Sequence, residues 1–369
     1  MKTEEDKIIE NIFKINLRIQ KKEKLLVFTD NKSKKLISIA RKVSYISNTF
    51  CNKMSYLQFK STESHGAEPP EELWREAFGN NIVNELINKK ILISLINKRI
   101  LPVKLKEAER IVKKYKEDAV NAVVALSYHS TSHTRFRDLL TRICETRYAS
   151  MPTFEGSMFK TAMSVDWKKM EIRTNRMAQR VQMAEIIEVC TPNGTSIAFS
   201  KKGRIAKADT GIITTPGKFS NLPAGEVFLA PLEGTANGRL VLEWAPTRKL
   251  KSPVTLYIKK GNVEKIEGKE NYINDLKKKM SERKENRNLA ELGIGTNDKA
   301  VSLNNILESE KIFGTIHMAL GDNSSFGGRV STPFHQDFIF FKPTVTLIHK
   351  DGIRDVLLKN GELKRKRSR

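Results

Sequence analysis

Glu291-Leu-Gly-Ile-Gly-Thr-Asn297, Gly314-Thr-Ile-His317-Met-Ala-Leu-Gly321 and Phe334-His335-Gln-Asp337 gather two acids and two imidazoles in runs that are otherwise apolar and glycine-rich. Elsewhere the chain spends lysine freely. Glu291 is a single carboxylate in a small, strand-like run, and a buried carboxylate is costly unless it is paired or bound to a cation. His335 and Asp337 are separated by one residue, so on a strand both side chains point to the same face. His317 sits in a similar apolar, Gly-flanked run. One histidine on an apolar strand is more often a hydrogen-bonded core residue than a ligand; the combination is what points to a metal. Gly321, Gly327 and Gly328 suggest a tight loop that brings the segments together. Upstream, Asn221-Leu-Pro-Ala-Gly-Glu226-Val-Phe-Leu-Ala-Pro231 supplies a further acid just before an apolar strand. Alone, Glu226 reads as a surface turn residue; with the others it completes a set.

Glu226, Glu291, His317, His335 and Asp337 are three carboxylates and two imidazoles. That exceeds the roughly four ligands of a tetrahedral zinc. It suits two divalent ions about 3.5–4 Å apart, bridged by a carboxylate and a water. Two such ions carry about +4, which three carboxylates and one bridging hydroxide balance in a partly buried cavity. The set fits hydrolysis, with zinc, cobalt or manganese as the metals and Glu291 counted as both ligand and catalytic carboxylate.

Working outward, the 369 residues suit two domains rather than one core. No apolar run reaches the ~18 residues of a membrane span. The charged start Met1-Lys-Thr-Glu-Glu-Asp-Lys does not read as a signal peptide. Cys51, Cys144 and Cys190 are widely spaced and odd in number, which argues against a disulfide framework and for a reducing, cytoplasmic setting. The formal net charge is +24. Basic residues are dispersed among Glu and Ile along helices, and the only dense cluster is the tail Lys364-Arg-Lys-Arg-Ser-Arg369. No nucleic-acid motif accompanies the charge, so a Lys-rich surface is favoured over nucleic acid as a partner.

The first half reads as α/β. An amphipathic helix is predicted over 1–22. Lys24-Leu-Leu-Val-Phe-Thr-Asp30 reads as a buried strand, 34–46 as a helix, and Met54-Ser-Tyr-Leu-Gln-Phe59 as a second strand, together a βαβ unit on a parallel sheet. No Gly-rich fingerprint follows the first strand, so no dinucleotide site is predicted. Helical periodicity covers 71–99 and 105–116. Ala119-Val-Asn-Ala-Val-Val-Ala-Leu126 is a strand, after which Thr134 caps a helix running to about 146. A strand and turn are predicted at 150–152, with helices near 155–163 and 166–184. From about 185 the texture changes to short strands between Asn-Gly, Lys-Gly and Pro-Gly turns, interrupted by one basic helix over 270–285. This predicts a largely antiparallel second domain over 185–369, after an α/β domain over 1–184.

Asp209-Thr-Gly211, Pro216-Gly217, Asn221-Leu-Pro-Ala-Gly-Glu226, Ala230-Pro231, Gly234, Asn237-Gly238, Ala290-Glu-Leu-Gly-Ile-Gly-Thr-Asn297, His317-Met-Ala-Leu-Gly321, Gly327-Gly328 and His335-Gln-Asp337 follow one another over about 130 residues. In this order they resemble the aminopeptidase T family of dinuclear metallopeptidases. Glu68-Pro-Pro70, Ser132-His-Thr134 and Ser150-Met-Pro152 carry a looser resemblance in the first half. The resemblance implies that Glu226, Glu291, His317, His335 and Asp337 ligate two divalent ions, that N-terminal residues are removed from peptide substrates, and that the chain forms a homodimer with an enclosed cavity. One departure stands out. The family's catalytic tyrosine falls seven residues after the first metal histidine, and here that position is Ser324. A tyrosine hydroxyl there would stabilise an oxyanion; serine is shorter.

A second function class uses the same scaffold. His317, His335 and Asp337 form a two-His-one-carboxylate set suited to Fe(II) with open positions, the chemistry of a mononuclear ring-cleaving dioxygenase. A third is a catalytically weakened binding homologue, motivated by Ser324 and the basic surface. The presence of both Glu226 and Glu291 favours hydrolysis. His129 and His133 lie where a parallel strand ends, a place where α/β sheets bind ligands, with helix capping by Ser132 or Thr134 and exposed histidines nearby as the equal alternative.

Overall fold

The computed structural model describes residues 2–246 and 248–365. Residues 366–369 of the basic tail lie outside that range. The chain forms two compact units, Met1–Ser164 with Gly211–Pro223, and Val165–Thr210 with Ala224–Arg369. The first unit therefore takes back one later segment of the chain.

The first unit is built on a five-stranded, all-parallel sheet in the order Lys53–Phe59, Lys24–Asp30, Ala122–Ala125, Arg147–Ser150, Phe219–Asn221. Lys24–Asp30 is buried along nearly its whole length, as expected of a strand covered on both faces. The helix Lys34–Ser47 is capped by Ser33, whose side chain accepts from the Leu36 amide. The helical stretch after the two prolines is divided into Glu71–Phe78, Asn80–Asn88 and Leu92–Ile96. Gly79, with φ of 82°, breaks it first, and a Cβ there would stand 2.9 Å from that of Asp118. Thr134 caps Arg135–Arg142 as its position suggested, accepting from the Arg137 amide. The helix expected near 155–163 is instead two short 3₁₀ turns, Gly156–Phe159 and Ala162–Ser164. Trp74, Phe78, Phe136 and Tyr148 anchor the core, with Trp74 and Phe78 stacked at 4.9 Å.

The second unit is led by the helix Trp167–Gln182 and holds two antiparallel sheets. The larger has eight strands in the order Asn262–Glu267, Arg248–Lys259, Asn237–Ala245, Ser196–Ser200, Ala184–Cys190, Thr344–His349, Arg354–Lys359, Glu362–Leu363. The smaller has five, in the order His335–Phe340, Ile316–Gly321, Leu289–Gly295, Glu226–Leu229, Lys207–Asp209. One apolar core draws on both sheets and on Met177, Ala178 and Val181 of the leading helix. The N-terminal α/β unit with its parallel sheet and the largely antiparallel C-terminal unit are the architecture expected from the sequence. No helix is long and apolar enough to cross a membrane among the described residues.

Candidate metal centre

The five-stranded sheet decides where the site residues lie. Val227, Leu229, Leu292, Ile294, Ile316, Met318, Leu320, Phe338 and Phe340 alternate along four strands and fill the core. Period-two geometry sends the intervening residues to the other face, and among those residues are Glu226, Glu291, His317, His335 and Asp337. Register then aligns them. Glu226 pairs with Gly295, His317 with Gly293, Asp337 with Ala319, and His335 with Gly321. Each donor thus has a glycine or alanine beside it on the neighbouring strand. The clearest case is Gly293, where a Cβ would come within 2.0 Å of the His317 ring.

All five predicted residues come to this face, in two overlapping groups. Donor atoms of Glu291, His335 and Asp337 lie within 4.8 Å of one another, and among the described residues only this group brings three such atoms together. Nε2 of His335 is 3.4 Å from Glu291 Oε2 and 3.5 Å from Asp337 Oδ2. Nδ1 of His335 is 2.7 Å from the Asp322 carbonyl, which accepts its proton. That bond leaves Nε2 as the donor facing the carboxylates, the tautomer a metal ligand needs. His317 joins from the other side, its Nε2 3.7 Å from Glu291 Oε1 and 3.4 Å from Glu226 Oε2. His317 is thus not among the three donors that lie within 4.8 Å of one another.

The charges are strongly interdependent. Burial pushes the His317 imidazole down, but Glu291, Glu226, Glu310 and Asp337 outweigh it and hold its pKa at about 9. His335 is likewise raised, with burial opposed by Asp337 and Glu291. Burial raises the Asp337 and Glu291 carboxyls, and the imidazoles bring both below the ordinary range. Without a metal, the two rings supply the positive charge that the acids require.

Lys311 was not legible as a site residue. Its side chain is 1% exposed, with Nζ 2.7 Å from Glu226 Oε1 and 3.2 Å from Glu310 Oε2. Burial pushes the ammonium down, and Glu226, Glu310 and Asp209 reverse this and hold it charged. Its backbone is pinned to the strand that carries Glu291. The Asn297 amide donates to the Lys311 carbonyl at 2.9 Å, and the Phe313 amide to the Asn297 carbonyl at 3.0 Å. Gly295 permits this approach, since a Cβ there would fall 2.0 Å from the Ile312 carbonyl oxygen. One lysine in a Lys-rich chain carries no local signal of such a role.

Ser324 lies in the 3₁₀ turn Ser324–Phe326 and donates to the Asp322 carboxylate, at 2.8 Å to the nearer oxygen. Its loop is tied down by Glu233, which accepts from Asn323 Nδ2 at 3.0 Å and the Arg329 amide at 2.8 Å and pairs with Arg204. Phe326 meets His335 edge to face at 6.0 Å, and Phe228 meets Phe326 at 5.8 Å, so an aromatic wall borders the histidine. His335 is the least buried member of the donor set. In the first unit, His129 is buried with Nδ1 2.8 Å from Ser61 Oγ, and its amide donates to Asp30 at 3.0 Å. His133 is exposed.

The sequence profile of the family described as NicX, 2,5-dihydroxypyridine 5,6-dioxygenase, matches residues 156–363. The structure is similar to that of a 2,5-dihydroxypyridine dioxygenase from Pseudomonas putida KT2440, with a TM-score of 0.72 and 16% identity over 99% of this chain and 98% of that one. It is also similar to AmpT from Thermus thermophilus, with a TM-score of 0.62 and 13% identity over 98% of each chain. No curated protein sequence matches the chain. The likeness to aminopeptidase T read from the motifs is thus shared at the level of the fold, while the profile places the chain elsewhere. With more than half of its length matched by that profile, the chain belongs to the 2,5-dihydroxypyridine 5,6-dioxygenase family.

Proposed function

We propose that this chain is a mononuclear metal-dependent dioxygenase that opens a hydroxylated nitrogen-containing aromatic ring of the dihydroxypyridine class. The observation that carries this reading is the convergence of Glu291, His335 and Asp337 on one face of the small sheet, in a chain of that family. One imidazole and two carboxylates are an oxygen-rich donor set that suits a divalent iron or manganese with positions left open. The His335–Asp322 bond orients the imidazole for such a role. When bound, iron supplies the redox chemistry that lets dioxygen react with a closed-shell ring.

The chain's own residues do the rest. His317, set between Glu226 and Glu291, steadies the Glu291 carboxylate. Phe326 and Phe228 give a flat ring an apolar wall beside His335. In the proposed reaction one ring carbon–carbon bond next to a hydroxyl-bearing carbon breaks. Both atoms of dioxygen enter the product, so no external reductant is consumed.

The protein reconstituted with Fe(II) under air is expected to consume one dioxygen per molecule of 2,5-dihydroxypyridine and to bleach the ring's ultraviolet absorbance. Oxygen-independent release of the first residue from aminoacyl p-nitroanilides with zinc, cobalt or manganese, and no oxygen uptake with hydroxylated pyridines, would overturn it.

The dinuclear aminopeptidase remains the second reading, and one feature favours it. The two oxygens of Glu291 face different imidazoles, as a bridging carboxylate's would, and Glu226 Oε2 is buried without a hydrogen-bond partner.

A further inference from the structure

We infer that Lys311 supplies, as a fixed ammonium, the positive charge that a second metal ion would otherwise bring to Glu226, and so limits the site to one cation. The inference rests on the reading of Glu291, His335 and Asp337 as the metal-binding set.

Glu226 is the residue on which a second ion depends. It lies on the same face as the triad, beside His317, yet its donor atoms do not join the three that converge. Its Oε1 is taken by Lys311 at 2.7 Å, and its Oε2 faces His317 Nε2 at 3.4 Å. A cation on that carboxylate would stand beside a permanent charge in surroundings where both partners are almost fully buried. Buried like charges repel strongly because little water screens them.

The ammonium is not a mobile surface group that swings aside. Its backbone is hydrogen-bonded to Asn297 just past the strand that carries Glu291, and the close passage of Ile312 against Gly295 fixes the segment. Glu310 at 3.2 Å supplies a second anchor for Nζ. Because Gly295 is also the register partner of Glu226, the same contact that seats residues 311 and 312 delivers the ammonium to that carboxylate.

The test is metal content, with Mn(II) as the probe. Metal-stripped wild type, Lys311→Met, Lys311→Arg and the double variant Lys311→Met with Glu226→Gln are dialysed against Mn(II). Metal per chain is then measured by atomic emission, with electron paramagnetic resonance to detect coupled pairs. Wild type and Lys311→Arg are expected to hold one uncoupled ion per chain. Lys311→Met frees Glu226 and is expected to hold two, with an exchange-coupled spectrum. A folded Lys311→Met protein that still holds one ion overturns the inference, as does a wild type that holds two. Where Lys311→Met does not fold, the double variant decides. It removes one charge of each sign, and retention of one ion within about tenfold of wild-type affinity supports the inference. A loss of more than about a hundredfold would make Glu226 a direct ligand and overturn it. Failure of the underlying reading looks different: wild type then binds no ion, or binds one that Asp337→Asn leaves unaffected.

Discussion

Replacing Lys311 by methionine is expected to destabilise the metal-free protein by about 3–5 kcal/mol, because it takes from the buried Glu226 its nearest cation, leaving His317 at 3.4 Å, and takes from Glu310 its contact with the ammonium. The two side chains are 1% and 8% exposed, so solvent screening removes little of the interaction. At the observed 2.7 Å separation and an effective dielectric near 20, their attraction is about 6 kcal/mol. Desolvation of both ions cancels much of that, which is why the pair as a whole contributes little net stability. The single variant, however, retains the cost of burying Glu226 and loses the attraction that offset it. For a unit of this size, the loss corresponds to a fall in melting temperature of about 6–20 °C. Glu226→Gln should cost a similar amount for the mirror-image reason. The double variant, with neutral side chains of similar size, should return to within about 1 kcal/mol of wild type. Urea denaturation in the presence of a chelator, run as a double-mutant cycle, measures all three. If Lys311→Met unfolds within about 1 kcal/mol of wild type while the double variant is no better, the buried pair does not exist as described and the reasoning fails.

Gly293→Ala forces a methyl into the space of the His317 imidazole, 2.0 Å from its ring atoms. Metal affinity by competition with a fluorescent chelator should fall about 10–100-fold, as when a supporting residue of a metal site is displaced. Glu68 gives a pH signature unrelated to metal. Burial raises its pKa above the ordinary 4.5, and the Arg135 and Phe136 amides, which donate to it, offset this only in part. The folded state therefore holds this proton more tightly than the unfolded chain, so stability declines as pH rises from about 4.5 through the raised value. Glu68→Gln should flatten that part of the stability–pH curve, and an unchanged curve would assign it to other groups. Among the cysteines, burial pushes the Cys144 thiol up to about 12 and Cys51 is buried, whereas Cys190 is exposed. Mass spectrometry after brief iodoacetamide treatment of the native protein at pH 8 should find Cys190 modified first, since the thiolate is the reactive form.

Much of the architecture was legible before any coordinates. Lys24–Asp30 announced itself by an unbroken apolar run, and Thr134 by its position before a helical pattern. The donors on the small sheet were visible because each is an acid or imidazole in an otherwise apolar or glycine-rich run, and His335 and Asp337 share a face because a strand has a period of two. The motif resemblance carried as far as the fold. The glycines and acids around Glu226 and Glu291 match aminopeptidase T in order, yet they are largely requirements of the shared fold. Small residues must face each donor across the sheet whichever reaction the site performs.

By itself, then, the sequence determined the two kinds of sheet and singled out the five residues that share one face of the small sheet, since these follow from short-range periodicity and turn residues. Only the tertiary structure decided which of the five converge. That depends on the register between four strands separated by long stretches of chain, including the bulge between Leu289 and Glu291. The structure alone also turned one of many lysines into the counter-ion of Glu226. Burial is a property of the folded neighbourhood, and it is burial that makes the charge of Lys311 count.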